Sequence, residues 1–194
     1  MIVKIFSDHL SFVEESAETI ARCCRSSDKT LARIIVSGGS TPRPVYQAFA
    51  EKKDVPVEKV EFFQADERYV SPTHRDSNYF AIKNALGAKT VNRLAAFHHF
   101  HTQKQIEEAL DEYERILKNI PFFDLAVLGI GADGHIASLF PHSDALKEKK
   151  RLTAHTTTDR FAVKDRLTLT FPTIFKSKNI LVLLEGASKK HVLD

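Results

Sequence analysis

Asp133 and His135 stand one residue apart in the run Gly129-Ile-Gly-Ala-Asp-Gly-His-Ile-Ala-Ser-Leu-Phe-Pro141, directly after the apolar stretch Leu-Ala-Val-Leu at 125–128. An imidazole changes charge near neutral pH, so a histidine in a cleft can take a proton from water and return it to a leaving group. Gly129, Gly131 and Gly134 let the backbone turn sharply and come close to a ligand. The apolar stretch reads as a central parallel strand, and loops at the carboxyl ends of such strands are where open α/β sheets bind ligands. Residues 129–141 therefore read as an active-site loop, with His135 as the acid–base group and Asp133 beside it.

The same residues spell Gly-x-Gly-x-x-Gly. A dinucleotide fingerprint needs a helix of several turns after the last glycine, then a strand ending in an acidic residue about 20 positions on. Pro141 follows Gly134 by only seven residues, and no strand ends in an acidic residue where one is required. Nicotinamide binding is not the expectation. A plain tight turn would explain the glycines and leave the neighbouring Asp133 and His135 unexplained.

Two further loops carry chemistry. Ser37-Gly38-Gly39-Ser40-Thr41-Pro42 follows a buried strand and opens a helix, with Thr41 as N-cap and Pro42 at the first helical position. Backbone N–H groups at that helix start, with the hydroxyls of Ser40 and Thr41, make a phosphate cradle. No Lys-Ser/Thr pair follows the glycines, so this is not a Walker A loop. Asp66-Glu67-Arg68-Tyr69-Val70 follows a third apolar strand, with Ser77-Asn78-Tyr79 shortly after. A charged run of this kind is often a solvated loop. Strand ends of one parallel sheet share a rim, however, so Arg68 is expected to face the same cleft and offer its fork to a phosphate or carboxylate.

Alternating elements must position these loops. Strands are expected over residues 2–6, 32–37, 59–65, 94–98, 125–129, 151–156, 166–170 and 180–184. Helices are expected over 9–26 (capped by Asp8), 42–52, 76–86 and 103–119. In the first helix Leu10, Val13, Ala17, Ile20, Ala21 and Cys24 make an apolar stripe at helical spacing. The order predicts an α/β fold, a Rossmann-like mostly parallel sheet with helices on both faces, in a single domain over 1–194. Nothing approaches 18 consecutive apolar residues, and no secretory leader is visible, so membrane insertion is not expected.

With 28 Lys and Arg against 25 Asp and Glu, the formal charge is +3 over 194 residues, and the signs are interleaved. The densest basic run, 147–151, reads as a solvated face rather than a nucleic-acid patch. A mild positive excess suits a small anionic substrate. Cys23 and Cys24 are adjacent, a spacing suited neither to a mutual disulfide nor to a metal, so reduced thiols in the cytoplasm are expected. His98, His99 and His101 lack a carboxylate or cysteine at a supporting spacing, so no metal is assigned to them. The 14 Phe residues sit beside strands and read as core.

Ser37–Pro42, Asp66–Val70, His74-x-Asp76-Ser77-Asn78-Tyr79 and 129–141 together resemble, in order and spacing, the 6-phosphogluconolactonases, a branch of the family that also holds glucosamine-6-phosphate deaminases. Two positions favour the lactonase branch. Arg68 follows Asp-Glu where the deaminase pattern has Tyr, and Ala-Ser-Leu-Phe-Pro follows His135 where that pattern has Ala-Phe-Asn-Glu-Pro. The resemblance implies hydrolysis of 6-phospho-D-glucono-1,5-lactone without metal or other cofactor, in the oxidative pentose phosphate pathway. It implies His135 as base with Asp133 beside it, and substrate or phosphate contacts from Gly38, Gly39, Ser40, Thr41, Asp66, Arg68, Asn78, Gly134, Arg166 and Lys189.

Arg166 matches the arginine of an Arg-x-Thr-x-Thr strand, although Ala162-Val163-Lys164 replaces the proline often found upstream. Lys189 matches the lysine of a late Gly-x-x-Lys. The family normally continues further past that lysine than Asp194, so a missing terminal segment and incomplete cover over strand 180–184 are expected. A monomer or weak homodimer, with no nucleic-acid or membrane partner, completes the expectation. The rivals are a hexosamine-6-phosphate deaminase and a non-enzymatic sugar-phosphate regulator. Regulators on this fold usually carry a helix-turn-helix, for which the short N-terminal stretch leaves no room.

Overall fold

The computed structural model describes residues 2–25 and 31–192. Its centre is a five-stranded parallel sheet in the order β4-β2-β1-β5-β8. These strands are β1 (Ala32–Val36), β2 (Val60–Gln64), β4 (Ala96–His98), β5 (Leu125–Gly129) and β8 (Ile180–Leu183). β1 and β4 are each followed by a helix, β2 by a short strand and then a helix, and β5 by the site loop. The helices are α1 (His9–Arg25), α2 (Pro42–Ala50), α3 (Asn78–Val91), α4 (Ile106–Lys118) and the single turn α5 (Phe171–Ile174).

Successive strand residues point to opposite faces, and the two faces bury two separate cores. Ile34, Val36, Phe62, Leu125 and Val127 pack with Val13, Ile20, Val45, Phe49 and Ile82 of α1, α2 and α3. Ile35, Phe63, Ala126 and Leu128 pack on the other side with Leu110, Tyr113 and Leu117 of α4. Helices on both faces follow from strands that bury apolar side chains on both faces. Asp8 caps α1 as expected, its carboxylate accepting from the Ser11 backbone and hydroxyl at 2.8 Å each.

The remaining strands form a second, antiparallel sheet in the order β3-β7-β6, with β3 (Asp66–Arg68), β6 (Thr153–Thr157) and β7 (Asp165–Leu169). The expectation of one sheet thus gives way to two. Leu167 and Leu169 of β7 close the α4-side core, while the charged residues 66–68, read from sequence as a loop, form β3. Their pairing is Asp66 with Thr168, Glu67 with Leu167 and Arg68 with Arg166.

Two other expectations are corrected. Residues 2–6 form no strand. Ile2, Val3 and Ile5 are exposed, and the segment meets α1 through Lys4 with Glu15 and Phe6 against Phe12. An alternating apolar pattern makes a strand only where a sheet edge accepts it. Thr41 precedes α2 but has helical backbone angles, φ −69° and ψ −45°, and its side chain makes no capping bond. A capping hydroxyl bonds the second or third N–H of a helix. Here Pro42 and Pro44 remove the first and third donors, so the cradle has fewer helix N–H groups than expected. Elsewhere the departures are small: α3 kinks at Gly87, φ +73°, next to its expected end.

Candidate active site

In the parallel sheet the chain runs from β1 outward through β2 to β4, then returns through α4 to β5 on the other side of β1. The loops after β1 and β5 therefore diverge, and a crevice opens between them at the carboxyl ends of the strands. A cleft of about 310 Å³ lies there. It is lined by Gly38, Gly39, Ser40, Thr41, Asp66, Arg68, Asn78, His135, Arg166 and Lys189, together with Ser37 and Ser138. Of the expected site residues, only Asp133 and Gly134 do not line it. Asp133 touches His135 from behind, and Gly134 shapes the turn.

The turn after β5 is closed by its own backbone. The Gly131 N–H donates to the His135 carbonyl at 2.8 Å, and the Gly134 N–H to the Gly131 carbonyl at 3.1 Å. Gly134 sits at φ +85°, a conformation that favours glycine. Both N–H groups are spent inside the turn, so neither is available to a substrate oxyanion. Asp133 Oδ1 takes a short hydrogen bond from His135 Nδ1 and also accepts from the His135 backbone N–H at 3.3 Å. That contact fixes the tautomer in which Nδ1 carries the proton and Nε2 presents its lone pair. Burial opposes ionisation of Asp133, but the bonds from His135 outweigh it and hold the carboxyl below its ordinary range.

The cradle is held by side chains from loops, helices and β3 alike. Ser37 Oγ accepts from the Gly129 N–H at 3.2 Å, tying the β1 loop to β5. Tyr46 donates to the Ser37 carbonyl at 2.9 Å. Asp66 is buried and accepts from Ser138 Oγ at 2.6 Å, joining β3 to the segment after His135. Asn78 is buried too. Its Nδ2 donates to the Asp66 carbonyl at 3.0 Å, while its Oδ1 has no hydrogen-bond partner among the described residues. A buried acceptor with no partner on the wall of a cleft is a place for a ligand's hydroxyl.

Arg68 and Arg166 are paired across β3 and β7. The Arg68 guanidinium donates to the Asp76 carbonyl at 2.9 Å, and Arg166 Nε to the Val163 carbonyl at 3.1 Å. Burial, and then the neighbouring Arg68, lower the Arg166 pKa. Two guanidinium groups sharing a cleft repel one another, and an anion between them relieves that repulsion. Half-buried Lys189 adds a third cation to the rim.

Sequence reasoning undervalued Glu67. Its buried carboxylate accepts from Gln64 Nε2, the Arg68 N–H, Ser77 Oγ, the Asn78 N–H and the Tyr79 N–H, all within 3.0 Å. Burial still pushes its carboxyl up from the ordinary value. One side chain thus fixes both Arg68 and the N-terminus of α3 that carries Asn78. The signal was available: in a strand of period two, Asp66 and Arg68 share a face and Glu67 takes the other. Arg160 and Phe161, which touch the dyad from the loop between β6 and β7, carry no local motif that could have marked them. His98, His99 and His101 are occupied by other contacts, His99 stacking on Tyr79 with ring centres 3.9 Å apart. Among the described residues no three His, Cys, Asp or Glu side chains come together as a metal site, and no helix is long and apolar enough to cross a membrane.

Similarity to known proteins agrees with this geometry. Residues 7–194 match the family of glucosamine-6-phosphate isomerases/6-phosphogluconolactonase. A 6-phosphogluconolactonase of Synechocystis sp. is 39% identical over 169 residues, covering 82% of this chain and 69% of that protein. One of Nostoc sp. is 32% identical over 209 residues, covering 98% and 82%. The crystal structure of 6-phosphogluconolactonase from Thermotoga maritima superposes with a TM-score of 0.88 at 32% identity, over 99% of this chain and 87% of that one. With the dyad, the cradle and the paired arginines converging on one crevice, the chain belongs to the glucosamine-6-phosphate isomerase/6-phosphogluconolactonase family.

Proposed function

We propose that the chain hydrolyses 6-phospho-D-glucono-1,5-lactone to 6-phosphogluconate. The observation that carries this reading is the Asp133–His135 pair at one end of a cleft whose other walls hold Arg68, Arg166 and Lys189. The substrate has the matching polarity, an ester carbonyl at one end and a phosphate at the other. His135 Nε2 takes a proton from water as the oxygen adds to the carbonyl carbon. The tetrahedral centre then collapses, the bond from that carbon to the ring oxygen breaks, and His135 returns the proton to the departing oxygen. Asp133 stabilises the imidazolium formed between the two steps. Ser40, Thr41, Arg68 and Lys189 take the phosphate, and Asn78 Oδ1 accepts from a sugar hydroxyl. Arg166 adds positive charge beside Arg68. A cytosolic setting goes with this reading, since a phosphorylated lactone does not cross membranes unaided.

The test is acid release from the lactone, measured above spontaneous hydrolysis. Parallel incubation with glucosamine 6-phosphate is assayed for ammonia. Acid release by the wild-type chain, abolished in a folded His135→Ala variant, is the expected result. Ammonia release would assign it to the deaminase branch instead, and ligand binding without turnover would make it a sensor.

A further inference from the structure

Asp133 has two carboxylate oxygens, and only one faces His135. The other, Oδ2, accepts from Arg160 Nη1 at 2.8 Å. Arg160 belongs to the loop between β6 and β7, whose shape is set by its own contacts. The Thr158 N–H donates to the Lys164 carbonyl at 3.1 Å, the Arg160 N–H to Thr158 Oγ1 at 3.2 Å, and Lys164 Nζ pairs with Asp159 at 2.7 Å. The next residue, Phe161, meets the His135 ring edge-on with centres 5.9 Å apart, and Arg166 lies 5.4 Å over its own ring. Phe161, with Ala132, lines both the site cleft and a neighbouring open cavity of about 430 Å³. Arg160 lines that second cavity and not the cleft, so it reaches the dyad only through Asp133.

We propose that Arg160 is a positioning residue for the reaction above, clamping Asp133 from behind so that its near oxygen stays on His135 Nδ1. The proposal rests on the lactonase reading for its kinetic consequence and on geometry alone for its structural one. The terminal torsion of an aspartate is soft and roughly two-fold. A carboxylate held through one oxygen can therefore swing, and the imidazole swings with it. A second bond from the opposite side removes that freedom. The Arg160 side chain is 64% exposed, and exposed ion pairs contribute little to stability. Its loss should be felt in the geometry of the dyad rather than in the fold.

Arg160→Ala and Arg160→Lys separate these effects. In Arg160→Ala, kcat falls about tenfold or more, as a small misplacement of a reacting group does. KM stays within about twofold, because the cations that hold phosphate are untouched, and the melting temperature barely moves. In Arg160→Lys most of the rate returns, since a single N–H to Oδ2 suffices. Nitrogen-15 spectra of the His135 ring read the clamp without any substrate. The wild type holds one tautomer, protonated on Nδ1, and Arg160→Ala gives an averaged pair. Unchanged kcat, a loss confined to KM, or no rescue by lysine overturns the proposal. So does a His135 ring signal that ignores Arg160→Ala, whatever substrate the enzyme proves to turn over.

Discussion

Gly131 gives the His135 ring the space it occupies. A Cβ on residue 131 would fall 2.1 Å from His135 Cε1 and 2.2 Å from Nδ1, distances no side chain tolerates. Gly131→Ala should therefore push the ring off Asp133 and lower kcat about a hundredfold, with KM little changed. Steady-state kinetics on a variant of near-native melting temperature checks this, and a kcat within twofold of wild type would contradict it. Glu67 makes the opposite kind of residue-scale case, since its chemistry rather than its absence of bulk is what matters. Glu67→Gln replaces an acceptor oxygen with a donor that faces other donors, in a buried place. Equilibrium unfolding in urea should show a loss of about 2–4 kcal/mol, because Gln64, Ser77 and the start of α3 lose a shared partner.

At the scale of elements, the β3–β7 pair sets two cations side by side through Arg68 and Arg166. Arg68→Ala should raise KM for the phosphorylated lactone at least tenfold while leaving turnover of the unphosphorylated δ-lactone nearly unchanged. Equal losses on both substrates would show that Arg68 acts on the ring and not on the phosphate. The sequence made much of this arrangement legible. The loops at 37–42 and 129–135 announced themselves through glycine and proline, and the apolar runs of β1, β2 and β5 through their length. What stayed hidden depends on partners far away in the chain. The three charged residues of β3 form a strand because β7, a hundred residues on, offers them an edge. Residues 2–6 have the strand pattern and no paired edge among the described residues. Thr41 is a local exception: it reads as a cap, but its helical backbone angles and the loss of one donor at Pro44 leave it without a capping bond.

At the scale of the whole molecule, the two edges of the parallel sheet are β4 and β8. His99 lies just beyond the edge strand β4, and burial lowers its pKa from the ordinary value near 6.5 to about 4. The unfolded chain takes up that proton below about pH 6.5, whereas the folded chain resists it until about pH 4. Stability from this group is therefore present at neutral pH and is lost progressively as pH falls across that window. Urea midpoints measured from pH 7 to pH 4 should fall more steeply for the wild type than for His99→Phe, which keeps an aromatic ring against Tyr79. Parallel curves would rule out His99 as the source. At the other edge, β8 leaves Ile180 and Val182 about half exposed.

The crevice exists only because β5 lies against β1, and those strands are far apart in the chain. The Arg33 N–H reaches the Asp124 carboxylate across 91 positions. Closing so long a loop carries an entropic cost that local helices do not meet, so non-local strand pairing is the slow event in folding. During synthesis the phosphate cradle after β1 is made early, and the imidazole that gives it a purpose arrives some ninety residues later. Until β5 docks, β1 keeps an open apolar edge beside a half-built site. Recovery of activity in refolding should accordingly lag behind recovery of helix, and the window between them is when this chain is most exposed to pairing with another copy of itself.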